Sequence, residues 1–252
     1  MLHVNVGGLD FFGHKGPFGL KPGGFTGWDD GVATRTKSIL KENDGGAYEL
    51  PVYREQRFIT LAGNVIGGSP EELGYLRTRL LGALSTGKPG RITVSRPWET
   101  RWATCYLDGQ PRFTERGGLR SGTFELNLRC PDPRKFGGLR RFEVEPGLSV
   151  KVSHYGNYGA TPKFTVTGSM PGGYKLTVGG RSFVVTQPLV NGVPHTIDYQ
   201  DARLRVGGVV VFGGVSISNV WRVEPGVEEL VTLEPLTVGS GTAVLELLDT
   251  YI

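Results

Sequence analysis

The sequence predicts a mainly β protein of two domains, and three observations support this prediction. Glycine accounts for 40 of the 252 residues, about twice its average share, which favours many short strands joined by tight turns. Apolar and polar residues alternate in most segments, which is the period of a half-buried strand. A single segment, which begins near residue 70, has the spacing of an amphipathic helix.

The helix is predicted over residues 70–85. Ser69 can accept hydrogen bonds from the free N–H groups of the first turn, and Pro70 suits the first helical position. Glu72 follows Ser69 at the spacing of a capping box. Glycine and proline within residues 87–90 end the helix. Its apolar face, which should pack against a sheet, consists of Leu73, Leu76, Leu80 and Leu84, and Arg77 and Arg79 mark the solvent side.

The segment before the helix is rich in turn signals. Residues 2–6 alternate as in a strand, whereas residues 13–31 are so dense in glycine and proline that no regular structure is expected there. Residues 43–46, with the sequence NDGG, predict the end of a hairpin. The N-terminal half should therefore carry long loops in front of its helix and sheet.

Strands are predicted on the far side of the helix over residues 98–107 and 123–129. In the second of these, Phe124, Leu126 and Leu128 should face the core, because alternate side chains of a strand share one face. Prolines 131 and 133 prevent the strand from continuing.

A basic, proline-containing segment over residues 131–141 predicts an exposed linker. It divides the chain into an N-terminal β-sandwich-like domain, residues 1–142, and a C-terminal domain, residues 143–252. The C-terminal half has no helix signal, and its alternating segments, which end with strands at 215–220, 230–233 and 243–248, predict a β-sandwich or barrel.

Charge and composition limit the function classes. The net charge of +4 comes without the basic runs of a nucleic-acid binder. No segment is long and apolar enough for a membrane anchor, and the N-terminus lacks the features of a signal peptide. Cys105 and Cys130 fit free thiols in a core made in a reducing cytoplasm, with a disulfide or a reactive thiol as the open alternatives.

Residue types that could carry chemistry are present but are not arranged for it. Residues 82–88 have P-loop spacing, but they follow a helix, and proline occupies the position of the magnesium-binding hydroxyl. None of the histidines has a partner at metal-ligand spacing. No catalytic, cofactor-binding or metal-binding residue is therefore predicted, and no cofactor. The residues considered were His3, His14, His154 and His195, and the acids Asp29, Asp30, Glu71, Glu72, Asp198, Asp201, Glu228 and Glu229.

An ordered set of segments resembles the distal tail proteins of siphophages. In the first half these segments are residues 57–63 before the helix and the Pro-Asp-Pro sequence at 131–133. In the second half they are a Gly-Asn segment at 154–162 that leads into an alternating strand at 164–168, an Ile-Asp hairpin at 192–208, and the C-terminal residues 239–252. Residues 13–31 match nothing in that family.

The resemblance implies a virion structural protein and no enzyme. Such a protein forms a homohexameric ring at the tip of a long non-contractile tail, built by the N-terminal domain, while a galectin-like or jelly-roll C-terminal domain lies at the periphery. The ring joins the tail tube protein to the baseplate hub, a tail-associated protein, and leaves a channel for DNA without binding DNA specifically. The tape measure protein is a further candidate partner. Assembly in the host cytoplasm and a final location in the virion are implied as well.

Two other functions remain open from the sequence. The C-terminal domain could be a carbohydrate-binding or host-receptor-binding module, with sugar-stacking rings among Tyr155, Tyr158, Tyr174, Tyr199 and Trp221. Alternatively, dispersed acids could form a hydrolase site, for which the sign would be two carboxylates roughly 5–10 Å apart in a pocket.

Overall fold

A computed structural model of the chain describes residues 1–12, 16–118 and 120–252. It divides into two compact units, Met1–Lys135 together with Ile252, and Phe136–Tyr251. Both are built from β-strands, and one helix is present in the described part of the chain. The predicted fold class, mainly β with a single helix, is confirmed.

The N-terminal unit holds twelve of the strands and the helix. Their bounds are β1 His3–Val6, β2 Leu9–Phe12, β3 Phe18–Thr26, β4 Thr34–Arg35, β5 Ile39–Leu40, β6 Ala47–Tyr48, β7 Tyr53–Arg54, β8 Arg57–Ile66, α1 Pro70–Leu81, β9 Gly90–Arg96, β10 Glu99–Leu107, β11 Arg112–Glu115 and β12 Ser121–Cys130. The main sheet has the order β11-β12-β8-β3-β2-β1-β9-β10, and β10 also pairs with β12, so the sheet closes on itself like a barrel.

The core of this unit lies inside the curled sheet, under the helix. Strand β12 alternates strictly between partly exposed and buried residues, and it buries Phe124, Leu126 and Leu128 as predicted. Helix α1 covers the core with Leu73, Leu76 and Leu80, all buried. Burial of each leucine contributes about 1.5–3 kcal/mol, so the leucine stripe fixes the helix on the sheet.

The helix begins as predicted but ends earlier. The Ser69 side chain accepts a hydrogen bond from the backbone N–H of Glu72, and the Glu72 carboxylate accepts one from the N–H of Gly68. The helix stops at Leu81 with Gly82 as its C-cap, so the predicted end at residue 85 is wrong. Leu84 continued the leucine spacing, but it lies in a turn with a φ of 53° and packs on the core from there.

Strand β3 occupies part of the segment for which no regular structure was expected. Residues 13–15 lie outside the described residues, but Phe18–Thr26 pairs with β8. The register passes from Leu20 opposite Gly63 to Phe25 opposite Leu61, so residues 21–24 bulge out of the strand. Prolines and glycines that suggested a loop are thus accommodated by a bulge.

The C-terminal unit is a sandwich of two sheets. Its strands are β13 Lys135–Val144, β14 Ser149–Val152, β15 Lys163–Ser169, β16 Tyr174–Val178, β17 Arg181–Val185, β18 His195–Asp198, β19 Arg203–Val206, β20 Val209–Val210, β21 Val215–Ser218, β22 Glu229–Pro235 and β23 Ser240–Tyr251. One sheet includes the order β13-β23-β15-β18-β19-β20, and the other has the order β14-β22-β16-β17-β21. Phe164, Tyr174, Phe183, Leu233 and Leu245 belong to one buried cluster that draws on both sheets.

Residues 131–141 do not form the exposed linker that the sequence predicted. Strand β13 covers most of that segment and pairs with β23. The predicted division between residues 142 and 143 therefore falls inside a strand, and the two units separate after Lys135. The basic residues of this segment suggested an exposed linker. In the strand, Arg140 and Arg141 form ion pairs with Asp249 and Glu246 on β23, so their charges are compatible with strand pairing.

Candidate assembly surface

A hairpin arm over residues 33–54 extends from the N-terminal unit. Strand β4 pairs with β7 and, further out, β5 pairs with β6. The backbone N–H of Lys41 donates to the Gly46 carbonyl and closes the tip, so the NDGG segment forms the predicted hairpin end. An isolated two-stranded hairpin is at best marginally stable in water, so the arm needs another surface against which to pack.

The arm exposes apolar side chains along its whole length. Leu40 near the tip is 74% exposed. The others with large exposed areas are Ile39, Tyr48, Val52 and Tyr53. Because isolated apolar residues are common on protein surfaces but a contiguous run is not, this arm is the strongest candidate for a protein contact in the N-terminal unit.

A buried arginine holds the base of the arm. The guanidinium of Arg57, at the start of β8, donates to the carbonyls of Gly27, Trp28 and Asp30 through Nη1 and to that of Pro133 through Nε. Gly27 has a φ of +81°, and a Cβ there would lie 1.8 Å from the Phe58 carbonyl oxygen, so only glycine allows this approach. The loop that precedes the arm is therefore tied to β8.

Lys135 adds a second buried cation at the same place. Its ammonium donates to the Trp28 carbonyl at 2.9 Å and lies over the Trp28 ring. Burial, together with the positive charges of Arg57 and Arg101, lowers the pKa of Lys135 to about 8, although Asp29 and Glu99 oppose the shift. Burial likewise lowers the pKa of Arg57. The two cations are hydrogen-bonded to backbone carbonyls, which fixes the segments around residues 28 and 133.

The acidic residues considered as chemical candidates are separated and form local contacts. Asp29 pairs with Arg96, and Asp30 accepts a hydrogen bond from the N–H of Gly27. Glu71 lies in the first turn of the helix, where the Ser69 side chain lowers its pKa. Glu228 pairs with Lys151.

Asp198 is the last residue of β18, and Asp201 lies in the turn between β18 and β19 that the sequence suggested. Asp198 accepts a hydrogen bond from the N–H of Gln200, and Asp201 accepts one from the N–H of Arg203. The hydrogen bond from the Arg205 guanidinium lowers the pKa of Asp201. The P-loop-like residues 82–88 form the turn after the helix.

The histidines form separate contacts. His3 is bonded to Asp10 at 2.8 Å on the surface, and His154 is buried with its Nε2 at 2.9 Å from the Val223 carbonyl oxygen. His195 is buried beside the Tyr174 hydroxyl, and burial lowers its pKa although the Pro188 carbonyl opposes this. His14 lies outside the described residues. Within the described ranges, no group of three or more His, Cys, Asp or Glu residues could hold a metal ion.

Both cysteines are free and buried, in agreement with the thiol interpretation. Burial, with a smaller contribution from Cys130, raises the pKa of Cys105 to about 12. Burial also raises the pKa of Cys130 to about 11, although Arg57 opposes the shift. Since the thiolate is the reactive form, neither residue has the environment of a nucleophile.

Most of the suggested sugar-stacking rings are core residues. Tyr174, Tyr199 and Trp221 are buried, so they cannot meet a sugar, and this part of the prediction is wrong. Tyr155 is 77% exposed, and Tyr158 is partly exposed. Only Tyr174 lies in a strand, and the other four rings lie in loops and turns, where no local period shows which side chains are covered.

No protein-family model and no curated protein sequence matches the chain. Among solved structures, the crystal structure of SPP1 Dit superposes with a TM-score of 0.76 over 100% of both chains, at 16% identity. The chain shares its fold with the SPP1 Dit protein. That structure is described as a paradigm of the hub adsorption apparatus in phages that infect Gram-positive bacteria.

Two structures of the phage P2 baseplate in its activated conformation, with Ca and with Sr, are also similar. Their TM-scores are 0.53 and 0.52 at 9% identity, over 97% of this chain and 98% of theirs. At identities this low, the structural match shows a common fold alone. The resemblance to distal tail proteins that the sequence suggested is confirmed at that level. No described helix could cross a membrane.

Proposed function

We propose that this protein is a structural component of a long non-contractile phage tail and forms a ring at the distal tip. The observation that carries the proposal is the full-length match to SPP1 Dit, which covers both units rather than one shared module. A module grafted on another protein would match over one unit only. The phage P2 baseplate chains, which match over nearly the whole length, point to the same assembly.

The exposed arm supports ring formation through the N-terminal unit. The exposed apolar side chains of the arm need a protein surface against which to pack. If the arm of one copy packs on a different patch of the neighbouring copy, the contact is heterologous, and repeated contacts of this kind can close into a ring. Stable contacts of this kind bury about 2,000 Å² or more in total. We expect six copies, with the loops of residues 8–50 and the region 101–122 at the contacts, and the C-terminal unit at the periphery.

The partners follow from the position of such a ring. One face would meet the tail tube protein and the other the baseplate hub, with the tape measure protein as a further partner. The lumen would let DNA pass, so lysine and arginine should be sparse or paired on its wall. The protein would be assembled in the host cytoplasm and found at the tail tip of the virion. None of these roles requires catalysis.

Electron microscopy and mass photometry of the purified protein test the ring. The wild type should form hexamers, and the Leu40→Asp/Tyr53→Asp variant should be monomeric, because charges then replace exposed apolar contacts of the arm. Leu230→Asp, at an exposed residue of the C-terminal unit, is the matched control and should leave the hexamer intact. Virions labelled on this chain provide the second measurement: a label on the capsid, or none at all, would contradict the proposal.

A carbohydrate-binding function remains the alternative, and one observation favours it. The guanidinium of Arg140 lies 3.5 Å from the centre of the exposed Tyr155 ring. The buried Asp249 carboxylate accepts hydrogen bonds from the N–H of Tyr155 and from Arg140, which fixes the ring. A rigid, open ring can stack on a sugar. Binding to a broad glycan array that is lost in Tyr155→Ala would favour this function, and no binding by the wild type would remove it.

A further inference from the structure

A cavity of about 270 Å³ lies on the outer face of the N-terminal unit, between β11 and the bulge of β3. The register explains its shape. Arg112 on β11 lies opposite Glu125 on β12, which in turn lies opposite Ala62 on β8, so the three side chains form one row across the sheet. The bulge over residues 21–24 rises at the far end of the row. The small side chain of Ala62 therefore lies at the bottom of the cavity, between the side chains of β11 on one side and the bulge of β3 on the other.

Three cations line this cavity. They are Lys21 from the bulge, and Arg112 and Arg116 from β11 and the residue after it. All three are exposed, and none forms an ion pair or a side-chain hydrogen bond with another described residue. Other arginines of the same unit are paired, such as Arg77 with Glu115 and Arg101 with Glu99. The three cations therefore bring positive charge into the cavity that no ion pair within the described residues offsets.

The cavity also offers a hydrogen-bond acceptor. Glu125 lines it and forms no ion pair with Arg112, although the two residues are opposite each other. Its carboxylate accepts a hydrogen bond from the Asn127 side chain at 3.1 Å, which leaves further lone pairs. Thr114 and Thr123 add hydroxyl groups to the same wall. A matching ligand should carry negative charge and N–H donors together.

We propose that this cavity is a docking site for an acidic segment of a partner protein. A peptide that contains glutamate or aspartate can place a carboxylate between the arginines and lysine and donate its backbone N–H groups to Glu125. The phosphodiester backbone of DNA carries acceptors only, so Glu125 would repel it without any compensating bond. The cavity volume is below that of a site for a drug-sized molecule, roughly 300–1,000 Å³, and suits a few side chains.

Fluorescence anisotropy with a labelled decaglutamate peptide tests the proposal on the full-length protein at 50 mM NaCl. We expect saturable binding that weakens at 500 mM NaCl, because salt screens exposed charges. Arg112→Ser/Arg116→Ser should weaken binding at least tenfold. Glu125→Gln, which removes the negative charge and keeps an acceptor, should tighten binding severalfold. A loss in one variant and a gain in another cannot both arise from misfolding.

Arg181→Ser/Arg222→Ser is the matched control, since it removes two exposed arginines from the C-terminal unit. Its dissociation constant should stay within twofold of the wild type. An equal loss in this control would overturn the proposal, because net charge alone would then explain the binding. The same conclusion follows if the peptide does not bind saturably, if Glu125→Gln does not tighten binding, or if duplex DNA binds more tightly through Arg112 and Arg116.

Discussion

The N-terminal unit buries two cations, Arg57 and Lys135, which donate hydrogen bonds to backbone carbonyls at the base of its arm. The C-terminal unit instead buries an imidazole, His195, beside the Tyr174 hydroxyl inside its sandwich. The cations hydrogen-bond to segments that are distant in the chain. These hydrogen bonds offset the desolvation cost of the buried charges and hold the loop around residue 28 in place. The imidazole packs against the Tyr174 ring. The two units should therefore respond differently to truncation, substitution and pH.

Truncation should have the largest effect. A fragment of residues 136–252 retains β13, and it should unfold cooperatively with a transition seen in the fluorescence of Trp221, its single tryptophan. A fragment of residues 143–252 lacks nearly all of β13 and exposes the edge of β23, so it should lose most of its stability. Equal melting temperatures for the two fragments would contradict the role given to β13.

Substitution of the buried arginine should come next. Arg57→Met removes four hydrogen bonds to backbone carbonyls, one of them buried and three part-buried. Each bond from a charged group contributes about 1.5–3 kcal/mol. We expect a loss of about 3–5 kcal/mol, measured by urea unfolding, because other groups replace part of these bonds. Hydrogen exchange should rise in the N-terminal unit and stay constant in the C-terminal unit. Arg116→Met, at an exposed arginine, is the control and should change stability by less than about 0.5 kcal/mol.

The helix offers a matched pair of leucines. Leu80 is buried and the next residue, Leu81, is exposed. Leu80→Ala should cost about 2–5 kcal/mol through lost burial and a cavity, whereas Leu81→Ala should cost less than about 0.5 kcal/mol. Urea unfolding measures both. Similar losses for the two variants would contradict the difference in burial between the two side chains, since alanine does not lower helix propensity.

Acid should destabilise the C-terminal unit through His195. Its pKa is lowered in the folded state, while an unfolded histidine titrates near pH 6.5. Below that pH the unfolded state binds more protons, so stability is lost as the pH falls. His195→Gln has no side chain that titrates in this range. Measured in the 136–252 fragment, the wild type should lose stability relative to this variant as the pH falls from 7 to 5. A difference that is constant with pH would exclude this role.

Lys135 should act in the opposite pH range. Its pKa is about 8 when folded and 10.5 in an unfolded chain, so between these values the unfolded state binds more protons and stability rises with pH. Relative to Lys135→Met, the wild type should therefore gain stability from pH 8 to pH 10. Calorimetry measures this gain in the N-terminal transition, which is identified by its shift in Arg57→Met. A loss of wild-type stability relative to Lys135→Met between pH 8 and pH 10 would contradict the lowered pKa of Lys135.

The sequence by itself determined the fold class, the start and apolar face of the helix, and the inward residues of β12. These features depend on local periods and caps, which the order of residues states directly. It also indicated the hairpin tip through NDGG at residues 43–46. The order of segments that resembles distal tail proteins was sufficient to suggest the shared fold.

Only the tertiary structure decided which aromatic side chains are exposed and which cationic side chains are buried. Lys135 and Arg140 appeared as parts of a basic linker, but strand pairing with β23 made that segment a strand. Trp221 and Tyr155 are both aromatic residues outside the predicted strands, yet Trp221 is buried in the core of the C-terminal unit and Tyr155 is exposed. Lys21, Arg112 and Arg116 are far apart along the chain, and a bulge and a strand register bring them to one cavity. Such juxtapositions depend on long-range pairing, which no local pattern encodes.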